Sequence, residues 1–177
     1  MQHYSRGARW FHWTAFACVA LAYAFINLRG ALPESLAPRG STLARLPMQG
    51  HVLTGLLVLA LVLPRLLHRW RNAPPPVVPP LARWEAGLSR LTHAALYAFL
   101  LVQPLLGLFT AWANGPLRLP FGLQVPSPLA PDHALHESLG SVHETIGTIF
   151  YFVIGLHVAA ALWHHFLRRD NTLRRML

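Results

Sequence analysis

Four long apolar runs constrain the fold of this 177-residue chain more than any other feature. They cover residues 10–28, 50–67, 92–112 and 145–167. A helix of about 18 to 23 residues, the length of each run, crosses a hydrocarbon core of about 30 Å. A soluble four-helix bundle would show polar stripes at the helical period, and these runs show almost none.

The sequence therefore predicts an all-α integral membrane protein in which residues 1–177 form one four-helix bundle domain. The helices are expected at approximately 6–28, 48–70, 84–113 and 138–168.

The basic residues, all of which are arginine, predict the orientation of the bundle in the membrane. Eleven lie near the two termini or between helices two and three: Arg6, Arg9, Arg65, Arg69, Arg71, Arg83, Arg90, Arg168, Arg169, Arg174 and Arg175. Four lie on the other side: Arg29, Arg39, Arg45 and Arg118. Because loops rich in positive charge stay in the cytoplasm, both termini are expected there. The net charge of +9 then mostly faces anionic lipid, and nucleic-acid binding is not expected.

Histidines inside the apolar runs are the candidate functional residues, because ionisable side chains in a membrane span are costly. His143 and His157 are 14 residues apart, almost a whole number of helical turns, so they share one face of helix four. His12 and His51 each stand near the start of another run. Depth pairs His51 with His143 near the outer face and His12 with His157 toward the cytoplasm.

Each pair has the composition of a haem site rather than a zinc site. Structural zinc takes four ligands, commonly including thiolates, and Cys18 is the one cysteine in the chain. Two imidazoles suit the axial positions of haem iron, whose other ligands come from the porphyrin. The four histidines thus predict two haem-iron centres, whereas hydrogen-bonded core histidines are the alternative.

Three further residues are candidates for the inner end of the bundle. His93 lies level with His12, where it could be a competing ligand; a hydrogen bond to a haem propionate or proton donation to a quinone is favoured. Arg6 and Arg9 are placed to pair with haem propionates, because a guanidinium matches a carboxylate in bidentate geometry. Their alternative role is to set the topology alone.

Several segments together resemble one known family. They are Tyr4-Ser5-Arg6, Phe11-His12-Trp13, Val142-His143-Glu144-Thr145, the stretch from Tyr151 to His157, the stretch from Ala161 to His165, and Asp170-Asn171-Thr172-Leu173. The chain is similar along essentially its whole length to the bacterial cytochrome b-561 family, and its final forty residues are the most specific part.

The resemblance implies a multi-pass protein of the bacterial inner membrane with two haem b groups. It implies as their ligands His12, His51, His143 and His157. It further implies an oxidoreductase that oxidises superoxide at the outer face and passes electrons to ubiquinone.

Outer-sphere electron transfer is the expected chemistry, because two protein ligands per iron leave no open coordination position. Arg118 is the candidate for steering superoxide, since it lies in the proline-rich loop after helix three; an ordinary solvated arginine is the alternative. Two other functions stay open. One is a cytochrome b subunit that serves a dehydrogenase or hydrogenase as its redox partner protein, and the other is a non-redox protein that binds haem for transport or sensing.

Overall fold

The computed structural model describes residues 3–177 and consists mainly of four long α-helices. They are α1 (Arg6–Ala31), α2 (Thr42–Arg71), α3 (Arg83–Ala113) and α4 (His133–Phe166). All four are long and apolar enough to cross a membrane. The all-α, four-helix membrane fold predicted from the apolar runs is therefore confirmed.

Polar capping residues determine where three of the helices begin. The Ser5 hydroxyl accepts a hydrogen bond from the Ala8 amide at the start of α1. Ser41 caps α2 and Asp132 caps α4 in the same way. Because these caps lie ahead of the apolar runs, α2 begins at Thr42 rather than residue 48, and α4 at His133 rather than residue 138.

The helices pack as two hairpins that meet along α2 and α3. α1 packs on α2 and α3 packs on α4, whereas the backbone of α4 does not pack closely on α1 or α2 within residues 3–177. α4 reaches α1 through side chains: the Tyr23 hydroxyl donates to the Gly147 carbonyl at 2.7 Å, and the Asn27 amide donates to the Tyr151 hydroxyl at 2.7 Å. The wider separation of α4 from α1 and α2 leaves room between them for inward-facing side chains.

Apolar side chains on the outside of the bundle are suited to lipid. Phe152 is 71% exposed and Leu156 is 70% exposed, although both lie in the middle of α4. A soluble protein would bury such side chains. Their exposure fits a helix surface that contacts acyl chains.

The connection between α3 and α4 folds back over one end of the bundle. It contains a two-residue antiparallel ribbon of β1 (Leu117–Arg118) and β2 (Gln124–Val125) around a 3₁₀ turn, Pro120–Gly122. The Gln49 amide donates to the Leu119 carbonyl at 3.4 Å, which attaches this loop to the first turns of α2. The end of the bundle that this loop covers is called the loop end below.

The first and last described segments of the chain meet at the opposite end, called the terminal end below. The Tyr4 amide donates to the Arg175 carbonyl at 3.0 Å. The Asn171 side chain accepts from the Val78 amide at 2.8 Å, and the Arg175 guanidinium donates to the Pro75 carbonyl. These contacts join the C-terminal segment to the proline-rich connection between α2 and α3.

A buried carboxylate organises the C-terminal segment. Asp170 is 2% exposed, and its two oxygens accept from His164 Nδ1 at 2.5 Å and from the Thr172 amide at 2.8 Å. Burial by itself raises the pKa of Asp170, but these hydrogen bonds outweigh it and hold the pKa below its usual range. Asp170 is therefore a charged, fully bonded anchor for the turn that follows α4.

Candidate functional site

His51 and His143 bring two imidazoles together near the loop end, with their ring planes at 90°. Their ring centroids are 6.0 Å apart. This pair is called the outer pair and the pair of His12 and His157 the inner pair, after the orientation predicted from the sequence. His51 Nδ1 lies 2.9 Å from the Ala22 carbonyl, and His143 Nδ1 lies 3.1 Å from the Gln103 carbonyl. Each Nδ1 therefore carries the ring hydrogen and donates it. This tautomer leaves both Nε2 atoms with a free lone pair, as metal-binding histidines need.

Two residues of α3 position the ring of His143. The Gln103 side-chain amide donates to the His143 carbonyl at 2.7 Å, while its own backbone carbonyl accepts from the ring. Gly107 provides the space, because a Cβ atom there would lie 2.9 Å from His143 Cε1. The ring is thus fixed in tautomer and in direction by one turn of α3.

The inner pair, His12 and His157, lies nearer the terminal end. Their ring centroids are 6.5 Å apart. Here the partner of His12 Nδ1 is Arg65 Nη2 at 3.2 Å. Because a guanidinium only donates, His12 Nδ1 accepts in this arrangement and the ring hydrogen lies on Nε2. A metal on Nε2 would move that hydrogen to Nδ1 and end this one hydrogen bond.

The separation of the rings in both pairs suits one metal ion held between two imidazoles. Metal–imidazole bonds of about 2 Å place the centroids of two opposed rings roughly 6.3 Å apart. Both measured separations lie close to this value. Among residues 3–177, no group of three or more His, Cys, Asp or Glu side chains has the geometry to hold one metal ion between them. The donor set of each pair therefore fits haem, which supplies the equatorial ligands itself.

His93 is a third imidazole beside the inner pair. Its ring centroid is 5.5 Å from that of His157, and its Nδ1 lies 2.6 Å from the Ser89 carbonyl. The ring hydrogen is thus donated within α3, and the Nε2 atom keeps a free lone pair. The structure brings His93 into the inner site, as the sequence predicted from its depth.

The two arginines predicted to pair with propionates lie in the first turns of α1. Arg6 is exposed. The Arg9 guanidinium donates to the Leu177 carbonyl, while its Nε atom is buried with no hydrogen-bond partner among the described residues. Arg9 is therefore partly occupied by the C-terminus but keeps one donor free.

Arg118, the candidate for steering an anion, stands in β1 of the loop that folds over the loop end. Its side chain is exposed, and it forms no ion pair within the described residues. By contrast, Arg39 of the connection between α1 and α2 lies 3.4 Å from Glu34. The positive charge of Arg118 is thus not neutralised by a neighbouring carboxylate.

A cavity of about 710 Å³ opens beside His12 at the terminal end. Its wall includes Arg65, Tyr97 and His68, and the Ser5 hydroxyl lies 2.7 Å from His68 Nε2. The proline-rich connection between α2 and α3 covers one side. This end of the bundle therefore offers an entrance lined by both polar and apolar side chains next to His12 of the inner pair.

Sequence reasoning did not single out Gln103 or Arg65 as parts of the two sites, and it considered Gly107 only as one of several glycines that give close helix packing or room for a flat macrocycle. Arg65 could have been found, because it is an arginine near the end of an apolar run and such charges are functional by default. The roles of Gly107 and Gln103 depend on how α3 and α4 align, which no local pattern in the sequence shows.

Known proteins are similar to this chain along its length. The family profile described as prokaryotic cytochrome b561 matches residues 3–177. The protein of Escherichia coli (strain K12) named cytochrome b561 homolog 1 is 33% identical over 177 residues, which is 100% of this chain and 98% of that protein. A Yersinia pestis protein named probable superoxide oxidase CybB is 32% identical over 166 residues, 94% of this chain and 90% of that protein. Cytochrome b561 homolog 2 of Escherichia coli (strain K12) is 30% identical over 128 residues, 72% of this chain and 68% of that protein.

Four membrane helices that turn paired imidazoles inward form a membrane electron-transfer protein of the haem b type. The chain belongs to the prokaryotic cytochrome b561 family.

Proposed function

We propose that this protein is a dihaem b cytochrome of the bacterial inner membrane that oxidises superoxide at the outer face and reduces ubiquinone. In this proposal both termini lie in the cytoplasm, so the loop end is the outer face. His51 and His143 hold the outer haem, and His12 and His157 hold the inner one. The haems, when bound, supply one-electron carriers that exchange electrons without binding substrate to iron.

The observation that carries the proposal is the outer pair. Its centroids lie 6.0 Å apart, and both Nδ1 atoms donate to backbone carbonyls of other helices. Donation from Nδ1 leaves the Nε2 lone pair of each ring available to a metal, and two such lone pairs at this separation are more than hydrogen bonding in the core requires. The name of the Yersinia pestis relative, probable superoxide oxidase, supports superoxide as the donor.

The reaction needs a one-electron donor at one face and an acceptor of two electrons. Two superoxide anions each lose one electron and leave as dioxygen. Ubiquinone gains both electrons and two protons to become ubiquinol. The cavity beside His12 supports the acceptor site, because polar and apolar side chains both line it, it borders one histidine of the inner pair and it opens at the terminal end.

Individual side chains assist these steps. Arg118 attracts the superoxide anion to the loop end through its unneutralised charge. His93 relays a proton to the quinone: its Nε2 lone pair first takes up a proton from water at the terminal end and then passes it on, while Nδ1 stays bonded to the Ser89 carbonyl. Arg6 and the free Nε donor of Arg9 pair with haem propionates.

Rapid mixing of the purified protein with superoxide, with and without ubiquinone, tests the proposal. Superoxide alone should reduce the haems, and ubiquinone should then restore the oxidised spectrum. His143→Ala should lose the fast reduction. If superoxide does not reduce the haems, but quinol or a co-purified dehydrogenase or hydrogenase does, the protein is an electron-transfer subunit instead.

A further inference from the structure

We propose that Arg65 raises the reduction potential of the inner haem above that of the outer haem, so that electrons entering at the outer pair collect at the inner pair. This inference rests on the two-haem function proposed above. It concerns the direction of electron flow, which the ligand sets do not fix, because both consist of two histidines.

The position of Arg65 is unusual for a charged side chain. It lies in α2 within the stretch long and apolar enough to cross a membrane, and it is only partly exposed. Within residues 3–177, no carboxylate lies within ion-pair distance of its guanidinium. The structure therefore holds an uncompensated positive charge beside the inner pair, where burial weakens solvent screening.

Two contacts keep this charge in place whichever nitrogen of His12 carries the ring hydrogen. Arg65 Nη1 donates to the Phe11 carbonyl at 3.3 Å, one residue before His12. The guanidinium carbon also lies 5.3 Å from the centroid of the Tyr97 ring. Metal binding at His12 Nε2 ends the contact with Nδ1 but leaves these two, so the guanidinium stays beside the imidazole.

The outer pair has the opposite surroundings. Both of its rings donate Nδ1–H to backbone carbonyls, which makes the imidazoles more basic and better electron donors to a metal. Such ligands favour the oxidised, more positively charged iron. A cation beside an imidazole ligand favours the reduced, less positive iron instead. The two sites therefore differ in the environment of the ligands rather than in the ligands themselves.

The test is to measure both midpoint potentials by spectroelectrochemistry in the wild type, Arg65→Gln, Arg65→Met and Arg65→Lys. The inner haem is identified as the one that His157→Ala removes. In the wild type its potential should be the higher one. In the neutral variants the potential of the inner haem should fall by at least ~59 mV, while the potential of the outer haem stays unchanged. This shift corresponds to an about tenfold smaller equilibrium constant for moving one electron from the outer to the inner haem.

Matched variants separate charge from structure. Arg65→Lys keeps the charge, so the potential of the inner haem should stay near its wild-type value. Arg69→Gln removes a charge one turn further along α2, over the same Tyr97 ring at 5.9 Å, and should have a clearly smaller effect.

The inference would be overturned by a lower potential for the inner haem in the wild type, by an unchanged inner potential in the neutral variants, or by an equal shift of both haems. Loss of the inner haem from both neutral variants would assign Arg65 to haem retention and overturn it as well. A wild-type protein with a single haem would instead reject the two-haem function itself.

Discussion

His143 lies against Gly107 so closely that a Cβ atom at Gly107 would come within 2.9 Å of His143 Cε1. The glycine belongs to α3 and the histidine to α4, so the contact spans the hairpin. It lets His143 Nδ1 reach the Gln103 carbonyl at 3.1 Å, one turn earlier on α3. The direction of this imidazole thus depends on a position that carries no side chain.

Gly107→Ala should therefore weaken the outer haem site. The added methyl group must displace the His143 ring, and overpacking of this kind costs about 1–3 kcal/mol. The spectrum of the purified variant should lose outer haem and retain inner haem. Gly87→Ala is the matched control in the same helix, because nothing lies within 4 Å of a Cβ atom there. Equal haem content in both variants would show that this contact does not support the site.

Arg118→Glu should slow the reduction by superoxide while both haem spectra stay intact. Reversing an exposed charge at the loop end weakens the attraction of an anion, by about two- to tenfold at low salt. Added salt should shrink the difference, because screening shortens the reach of the field. Stopped-flow rates at several ionic strengths measure both effects.

Arg39→Glu serves as the comparison, since Arg39 lies beside Glu34 and its charge is already partly neutralised. It should slow the reduction by superoxide less than Arg118→Glu does. An Arg118→Glu protein with the wild-type rate and salt dependence would contradict the steering role.

Asp170→Asn should destabilise the terminal end in a pH-dependent way. The lowered pKa of Asp170 means that the folded protein stabilises the charged form. This contribution is fully present above the ordinary pKa of about 3.9 and is lost as the pH falls through the lowered folded value. The variant should lose about 1–3 kcal/mol at pH 7, where the His164 and Thr172 donors face a neutral amide.

Thermal unfolding in detergent at neutral and acidic pH provides the measurement. The difference in Tm between wild type and Asp170→Asn should narrow as the pH falls below about 4. A difference that stays constant over this range would mean that the charge of Asp170 does not stabilise the fold.

A reporter fused after Leu177 tests the orientation of the bundle. If the distribution of arginines sets the topology, a reporter active only in the cytoplasm should work there. A reporter that is active only in the periplasm should be inactive at the same position. Periplasmic activity would place the Arg118 loop in the cytoplasm and exchange the proposed donor and acceptor faces.

The sequence alone was sufficient to predict features that repeat along one helix. The apolar runs predicted four membrane helices, and the spacing of His143 and His157 placed both on one face of α4, where the structure finds them opposite His51 and His12. Helix starts were predicted less well for α2 and α4, because hydropathy does not detect the polar caps Ser41 and Asp132.

Features that depend on the alignment of two helices could not be predicted. The contact of Gly107 with His143 requires the register of α3 against α4, and the contact of Arg65 with His12 requires that of α2 against α1. Several alignments bury the same apolar faces, so composition alone does not choose among them. The candidate ligands could therefore be named from the sequence, whereas the residues that contact their rings could not.

The haem content of single histidine variants tests the central claim most directly, namely that two histidine pairs hold two haems. Purified wild-type protein should contain two low-spin haem b per chain. His51→Ala or His143→Ala should remove mainly the outer haem, and His12→Ala or His157→Ala mainly the inner one. His133→Ala, at an exposed histidine outside both pairs, is the control that should keep both haems. One haem per chain in the wild type, or full haem retention in His157→Ala, would contradict the account.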